Sequence, residues 1–186
     1  MIDGAARPDP GQETAIRRWK LGHHVFHLYL LAMNTELPVA LRHVLHERWQ
    51  NLSDVLDRLT ILYDASTASM KYAADFDSDQ YTSLIRPSMS PPFMSPGFSG
   101  ELNKDHSTML ALMKELRHTL KVRLRDSRSA GVPDEVATAA TALWSAQARN
   151  RRHHMLVCER FVPDGGSLLR EYFSRVESDG HVVGKE

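Results

Sequence analysis

Histidine is the residue type that stands out for chemistry in this sequence, with ten among 186 residues. The stretch RNRRHHMLVCERFVPDGGS, residues 149–167, sets His154 one helical turn before Cys158, so both side chains share one face of a helix. Arg151 and Arg152 lie up to one turn before His154, where they can meet an anionic group. Clustered histidines often bind a metal ion or haem, or transfer protons. Each residue also has a purely structural explanation. His154 would be a hydrogen-bonded core histidine, Cys158 a small buried hydrophobic residue, and the arginines part of a solvated helix face.

A second cluster, formed by His23, His24 and His27, lies in the stretch GHHVFHLYLLAMNTEL. His23 and His27 are one helical turn apart and can chelate a metal, which keeps a non-haem metal enzyme as an alternative function. Glu36 is available as a carboxylate ligand, but the sequence has no Glu-x-x-His motif of a di-iron bundle. Serine–histidine nucleophile motifs, phosphate-binding glycine loops and paired cysteines are absent from the sequence as well.

The elements that must position these side chains follow from the helical periodicity of the apolar residues. We predict an all-α bundle of four principal helices, over residues 13–36, 38–74, 102–125 and about thirty residues from 133, with Pro38 opening the second helix. No segment alternates with the period of a strand. On the third and fourth helices, His106 and His154 fall on the apolar stripes together with Cys158. All three side chains are therefore expected to face the interior.

Residues 77–100, DSDQYTSLIRPSMSPPFMSPGFSG, contain four prolines, which predict the absence of a helix there. A loop of this length inside a compact domain is usually functional or disordered. Arg86, Phe93, Phe98 and the methionines make it too apolar for a flexible linker, so we predict an ordered loop that packs over a pocket. A short helix is expected near residues 167–176.

Composition places the chain among ordinary globular proteins, with 42% hydrophobic and 25% charged residues. A net charge of zero argues against a nucleic-acid partner. No apolar run reaches the length of a membrane span, the N-terminus does not resemble a signal peptide, and a single cysteine fits a reducing cytoplasm. We expect a flexible arm over residues 1–12, one helical domain over 13–176 and a tail over 177–186.

The stretch RRHHMLVCERFVPDGGS resembles the haem-ligand helix of the tryptophan 2,3-dioxygenase superfamily. In that pattern an arginine follows the ligand histidine by six residues and a Gly-Gly-Ser turn closes the motif, and here Arg160 follows His154 in the same way. The resemblance implies that His154 is the proximal ligand of a b-type haem in the 13–176 domain. The turn that would close over the substrate is formed by Gly165, Gly166 and Ser167.

Two further stretches are similar to the same superfamily, in the same order along the chain. GHHVFHLYLLAMNTEL matches a helix with a distal-pocket histidine, which falls on His23, or equally on His24 or His27, with Tyr29 lining the substrate pocket. IRPSMSPPFMSPGFSG is similar to the substrate loop, with Arg86 on the arginine that binds the substrate carboxylate. Phe93 and Phe98 would bury the aromatic ring.

The His-x-x-x-Cys spacing of His154 and Cys158 is similar to a branch of haem-dependent tyrosine and 3-methyltyrosine hydroxylases, in which the cysteine bonds covalently to haem. This branch implies a thioether at Cys158 and a second axial histidine, at His106 or His118. Arg151 or Arg152 would reach a haem propionate. The expected function is oxygenation of an aromatic amino acid or indole by dioxygen or hydrogen peroxide, in a homo-oligomer. A helical interaction module without a cofactor is a further alternative.

Overall fold

The computed structural model describes residues 9–89, 103–126 and 131–162, and these residues form helices and connecting turns without strands. The long helices are α1 (Pro10–Leu45), α2 (Trp49–Ala73), α5 (Lys104–Asp126) and α6 (Asp134–Phe161). Two short helices, α3 (Ser78–Gln80) and α4 (Arg86–Ser88), flank a π-helical turn, Tyr81–Ile85, between α2 and α5. The predicted all-α class with four principal helices is confirmed. No helix in the described ranges is long and apolar enough to cross a membrane.

The first helix is longer than the sequence predicts at both of its ends. It begins at Pro10 rather than at residue 13, because Asp9 and Gln12 form a capping box. The predicted 1–12 arm is therefore too long by three residues, and residues 1–8 lie outside the described ranges. The helix also continues through Pro38, so the predicted break there is wrong. Burial of Leu37, Ala40 and Val44 outweighs the roughly 3 kcal/mol that an interior proline costs.

Helix α1 ends instead at a left-handed residue, Glu47, with a φ of 54°. The amide of Glu47 donates to the carbonyl of Val44, and the amide of Arg48 donates to the carbonyl of His43. This is the Schellman arrangement, which usually has glycine at the left-handed position. Because this position is a glutamate and not a glycine, the sequence does not indicate that the helix ends here.

The prediction that prolines exclude helix throughout residues 77–100 is wrong for residues 78–88. Asp77 caps α3 through a box with Gln80, and Pro87 sits in the first turn of α4, where its missing amide hydrogen costs nothing. The predicted helix near residues 102–125 is observed as α5, whose first turn is capped by the side chain of Asn103 through the amide of His106. Residues 90–102 and the predicted 167–176 helix lie outside the described ranges.

The bundle places α1 against α2 and α5, and α2 against α6. Ion pairs and hydrogen bonds set the directions: Arg18 meets Asp75 and Glu36 meets Arg58 between antiparallel α1 and α2. Leucines, methionines and Tyr63 from the four long helices form the main core. A smaller core, built around Tyr81, Ile85 and Phe161, closes the end of the bundle at which α1 begins.

Candidate functional site

The predicted site residues within the described ranges gather at one end of the bundle. The contact from His27 to Asp105 puts the start of α5 beside the middle of α1, and the contact from Arg160 to the carbonyl of Ala74 puts the ends of α2 and α6 together. The sequence could not predict this convergence, because it depends on how the four helices pack. The set comprises His23, His24, His27, Arg86, His106, Arg151, Arg152, His154 and Cys158.

His154 and Cys158 lie on the exposed surface of α6, so the prediction that they face the interior is wrong. The sulfur of Cys158 is 3.8 Å from Nδ1 and 3.9 Å from Nε2 of His154. The apolar stripe of α6 is buried from Val136 to Ala146 and again at Phe161. Between these points α6 contacts α2 through Asn150, which donates to the hydroxyls of Ser66 and Thr67, and His154 and Cys158 lie at the exposed edge of this contact.

His106 lies on the first turn of α5 and is partly buried. Its pKa is lowered first by burial and then, to a smaller extent, by the charge of His154, so the two side chains are close enough for their charges to interact. About three turns further along α5, Arg117 lies over the Trp144 ring of α6 at 4.4 Å and donates to Gln147. The structure thus places His154 beside Cys158 on α6, with His106 on α5 near enough for the charge of His154 to affect its pKa. His118, the other candidate for a second histidine, is exposed on α5 three turns beyond His106.

The thiol of Cys158 is protonated at neutral pH. The pKa of the thiol is raised mainly because the sulfur is partly buried, and further by the neighbouring carboxylate of Glu159. Thiolates, not thiols, are the strong metal ligands. In the protein alone, Cys158 therefore carries a thiol rather than a thiolate.

The arginines of α6 serve different partners. Arg149 forms an ion pair with Asp64 of α2 at 2.9 Å. Arg151 is exposed, yet its charge reaches Tyr63 in the core and lowers the pKa of the phenol slightly against the larger effect of burial. Arg152 is exposed on the surface. Arg151 and Arg152 thus remain available at the surface near His154, as a contact with an anionic group requires.

Tyr63 is a core residue at the centre of the bundle that sequence analysis did not connect with the site. Its hydroxyl donates to the sulfur of Met109 at 3.1 Å and accepts from Gln147 at 3.4 Å. Burial raises the pKa of Tyr63 to about 12. Met109 follows His106 by one turn, and Gln147 precedes His154 by two turns, so this polar contact lies beneath the two histidines. A tyrosine within a helical stripe is indistinguishable in sequence from an ordinary core residue.

His23 belongs to an aromatic cluster rather than to a pair with His27. Its ring lies 3.7 Å from the Trp19 ring, and its Nδ1 donates to the carbonyl of Trp19 at 2.7 Å. Because a carbonyl only accepts, Nδ1 carries the hydrogen and Nε2 carries the lone pair of the neutral ring. Burial lowers the pKa of His23, so the ring is neutral at neutral pH.

The remaining histidines of α1 diverge from His23. Nε2 of His27 is 3.8 Å from a carboxylate oxygen of Asp105 on α5, and His24 is exposed to solvent. Within the described ranges, no group of three histidine, cysteine or acidic side chains is arranged to hold a metal ion. The geometry therefore does not favour a non-haem metal site at His23 and His27.

The predicted substrate-binding residues are only partly described. Tyr29 is half-buried against the main core, and Arg86 is half-buried where the π-helical turn passes into α4. π-Helical turns are frequent at functional sites. Phe93, Phe98, Gly165, Gly166 and Ser167 lie outside the described ranges, and their roles stay predictions.

A comparison with known families gives a match between residues 3–153 and the SfmD 3-methyl-L-tyrosine peroxygenase model. The chain belongs to this peroxygenase family. A 3-methyl-L-tyrosine peroxygenase of Streptomyces lavendulae is 30% identical to it over 187 residues, which cover 98% of this chain and 47% of that protein. The chain thus spans about half the length of that relative. No solved structure matches the chain.

The peroxygenase family model reaches residue 153, immediately before His154, whereas the similarity to the Streptomyces protein covers almost the whole chain. The part matched by the family model therefore includes α1, α2, α5 and most of α6. The wider resemblance to the tryptophan 2,3-dioxygenase superfamily stays a prediction.

Proposed function

We propose that this protein is part of a haem-dependent peroxygenase that hydroxylates an aromatic amino acid related to tyrosine, in secondary metabolism. The observation that carries this proposal is the similarity of almost the whole chain to a 3-methyl-L-tyrosine peroxygenase. In this reaction an aromatic C–H bond becomes C–OH, with the oxygen taken from hydrogen peroxide and water released. Of the two oxidants expected from the sequence, we propose hydrogen peroxide rather than dioxygen, because the relative is a peroxygenase.

The donor set on α5 and α6 fits haem better than a metal ion bound by protein alone. A mononuclear metal site needs about three protein ligands, and the described ranges hold no such group. A porphyrin brings its own equatorial nitrogens, so one or two histidines suffice. His154 and His106, on α6 and α5, would be a pair of this kind. Because His154 is exposed, haem would bind at the α5–α6 surface and not in the core.

The surroundings of His154 support the same assignment. Leu110 and Met155 are exposed apolar side chains, at 46% and 61%, close in sequence to His106 and His154. They offer apolar surface to a macrocycle, while Arg151 and Arg152 offer cations to its propionates. Cys158 lies beside the His154 ring, so its thiol would be the group that attaches haem covalently, by addition of S–H across a vinyl group.

When bound, haem would supply the oxygen chemistry, and the protein would supply ligation, substrate binding and proton control. Arg86 binds the substrate carboxylate as a fork. His23, neutral and oriented by its bond to Trp19, accepts a proton at Nε2. Both roles are taken from the family resemblance, and the positions of Arg86 and His23 in the structure are compatible with them.

Absorption spectroscopy of the purified full chain, expressed with haem supply, tests the proposal. We expect a Soret band that is lost in His154→Ala and retained in His153→Ala, since His153 lies on a different face of the same helix, in the groove beside α2. A purified protein with no Soret band, which also retains none after incubation with hemin and removal of the free hemin, would refute haem binding.

Covalent attachment is tested separately with Cys158→Ser. The wild type should carry haem through denaturing mass spectrometry, and the variant should release it while keeping a Soret band. Release of haem from the wild type under the same conditions would contradict the thioether.

A further inference from the structure

The outward face of α1 exposes leucines where a solvated helix surface normally carries charges. Between residues 21 and 41 the exposed residues of α1 are Leu21, His24, Leu28, Leu31 and Thr35, and none of them is an acid, a lysine or an arginine. The three leucines are 47%, 62% and 42% exposed. Single exposed leucines are ordinary, but a row of them on one surface usually marks a contact surface. These five residues are called the outer stripe below.

The outer stripe lies opposite the side of α1 that builds the bundle. The inner side buries Gly22, Leu30 and Leu37, and α1 packs there against α2 and α5. At 100° per residue, the centres of the two sides are about half a turn apart. The hydroxyl of Thr35 donates to the carbonyl of Leu31 at 3.1 Å, so it needs no partner outside the helix. A partner could therefore cover this end of the stripe without leaving a hydroxyl unpaired.

The spacing of the outer stripe is that of a helix–helix seam. Its positions, 21, 24, 28, 31 and 35, alternate steps of three and four residues over about 21 Å of helix. This is the a and d spacing of a coiled coil, in which the side chains of one helix enter the holes of another. The outer stripe therefore fits a helix as its partner better than a sheet or a loop.

The outer stripe is complementary to a second copy of itself. If two α1 helices run antiparallel about a twofold axis near residue 26, position 21 faces position 31 of the second copy, and position 24 faces position 28. A twofold interface pairs one patch with itself in this way. Leu21 then meets Leu31, and His24 meets Leu28, so each of the four layers contains at least one leucine.

Charges at the start of the outer stripe favour the antiparallel direction. Arg17 and Lys20 are exposed on α1 just before Leu21. In a parallel pair Arg17 would lie beside Arg17 of the second copy, and such like-charge contacts are unfavourable. In the antiparallel pair Arg17 instead faces the uncharged Thr35.

We propose that the outer stripe is the surface through which two copies of this chain associate, with their α1 helices antiparallel about a twofold axis near residue 26. The interface would bury His24 and leave His23 and His27 as the α1 histidines that face their own bundle. This association does not rest on the proposed function.

Sedimentation velocity of the full chain tests the association. The wild type should sediment as a dimer at increasing concentration. Leu28→Lys should sediment as a monomer, because two lysines would meet near the twofold axis within an apolar seam. Ile61→Lys is the matched control, since Ile61 is 67% exposed on α2, away from the outer stripe, and this variant should remain a dimer. Circular dichroism establishes that both variants keep their helices.

Disulfide trapping tests the direction of the two helices. Cys158 is first replaced by serine, because it is the one natural cysteine of the chain. In that background, mild oxidation should join Leu21→Cys chains to Leu31→Cys chains in a mixture of the two. Neither variant alone should form a covalent dimer, because a disulfide needs Cα atoms within about 7 Å.

Three results would overturn the proposal. A wild type that stays monomeric as its concentration rises would show that the outer stripe does not join two copies. A Leu28→Lys variant that dimerises as the wild type does would assign the association to another surface. Disulfides between two Leu21→Cys chains would show that the helices run parallel.

Discussion

His106 on α5 and His154 on α6 are neighbours across the two helices, and the charge on His154 adds to burial in lowering the pKa of His106. The two residues are 48 positions apart in the chain, on helices that meet mainly through Arg117, Trp144 and Gln147. This arrangement gives each histidine a separate role in the proposed site. In that proposal His154, next to Cys158, would hold the cofactor, and His106 would approach it from α5.

The first prediction concerns His106. In His106→Ala the haem should stay bound through His154, but the Soret maximum should move because one axial ligand is lost. His118→Ala, on the exposed part of the same helix, should leave the spectrum unchanged. An unaltered spectrum in His106→Ala would remove this residue from the coordination sphere.

The second prediction concerns the contact between α1 and α2. A Cβ on Gly22 would lie 2.4 Å from the Cβ and 2.8 Å from the Cα of Ala73. Gly22→Ala should therefore lower the free energy of unfolding by about 1–3 kcal/mol through overpacking, although alanine is the better helix former. Adding Ala73→Gly removes one of the colliding atoms and should restore part of the loss in urea denaturation. Stability equal to the wild type in Gly22→Ala would contradict this close approach.

The third prediction is a pH dependence of stability that arises from His23. Burial lowers the pKa of His23 below its ordinary value of 6.5, so below that pH the unfolded chain binds more protons than the folded one. The stabilising contribution is complete above pH 6.5 and is lost as the pH falls through the folded pKa. His23→Gln should reduce the loss of unfolding free energy between about pH 7.5 and 5.5. The exposed His24→Gln is the control, and an equal slope in both variants would exclude His23 as the source.

The fourth prediction concerns the buried hydroxyl of Tyr63. Tyr63→Phe removes the hydrogen bonds to Met109 and Gln147 and should destabilise the protein by about 1 kcal/mol. Tyr72→Phe, at a tyrosine that is 41% exposed, should be nearly neutral. Because the pKa of Tyr63 is raised to about 12, one tyrosine should resist ionisation in an alkaline absorbance titration. That resistant component should disappear in Tyr63→Phe.

Sequence periodicity predicted the helices well where a buried stripe runs along their length. The stripe of α5 from Met109 to Leu120 is buried as expected, as is that of α6 from Val136 to Leu143. The prediction of a buried stripe was wrong at His154 and Cys158. The final turns of α6 extend past the main core and contact α2 on one side only. Helical periodicity identifies residues on one face but not the point at which that face leaves its partner.

The sequence predicted correctly those features that depend only on residues close together in the chain. The spacing of His154 and Cys158 sets them one turn apart on any helix, and the distance of 3.8 Å between sulfur and Nδ1 agrees with that geometry. The all-α class likewise follows from the period of the apolar residues. The tertiary structure alone decided that α1 passes through Pro38, that Glu47 adopts the left-handed conformation, and that the charge of His154 reaches His106. These features depend on packing between helices distant in sequence, whose burial energy outweighs the local preferences of single residues.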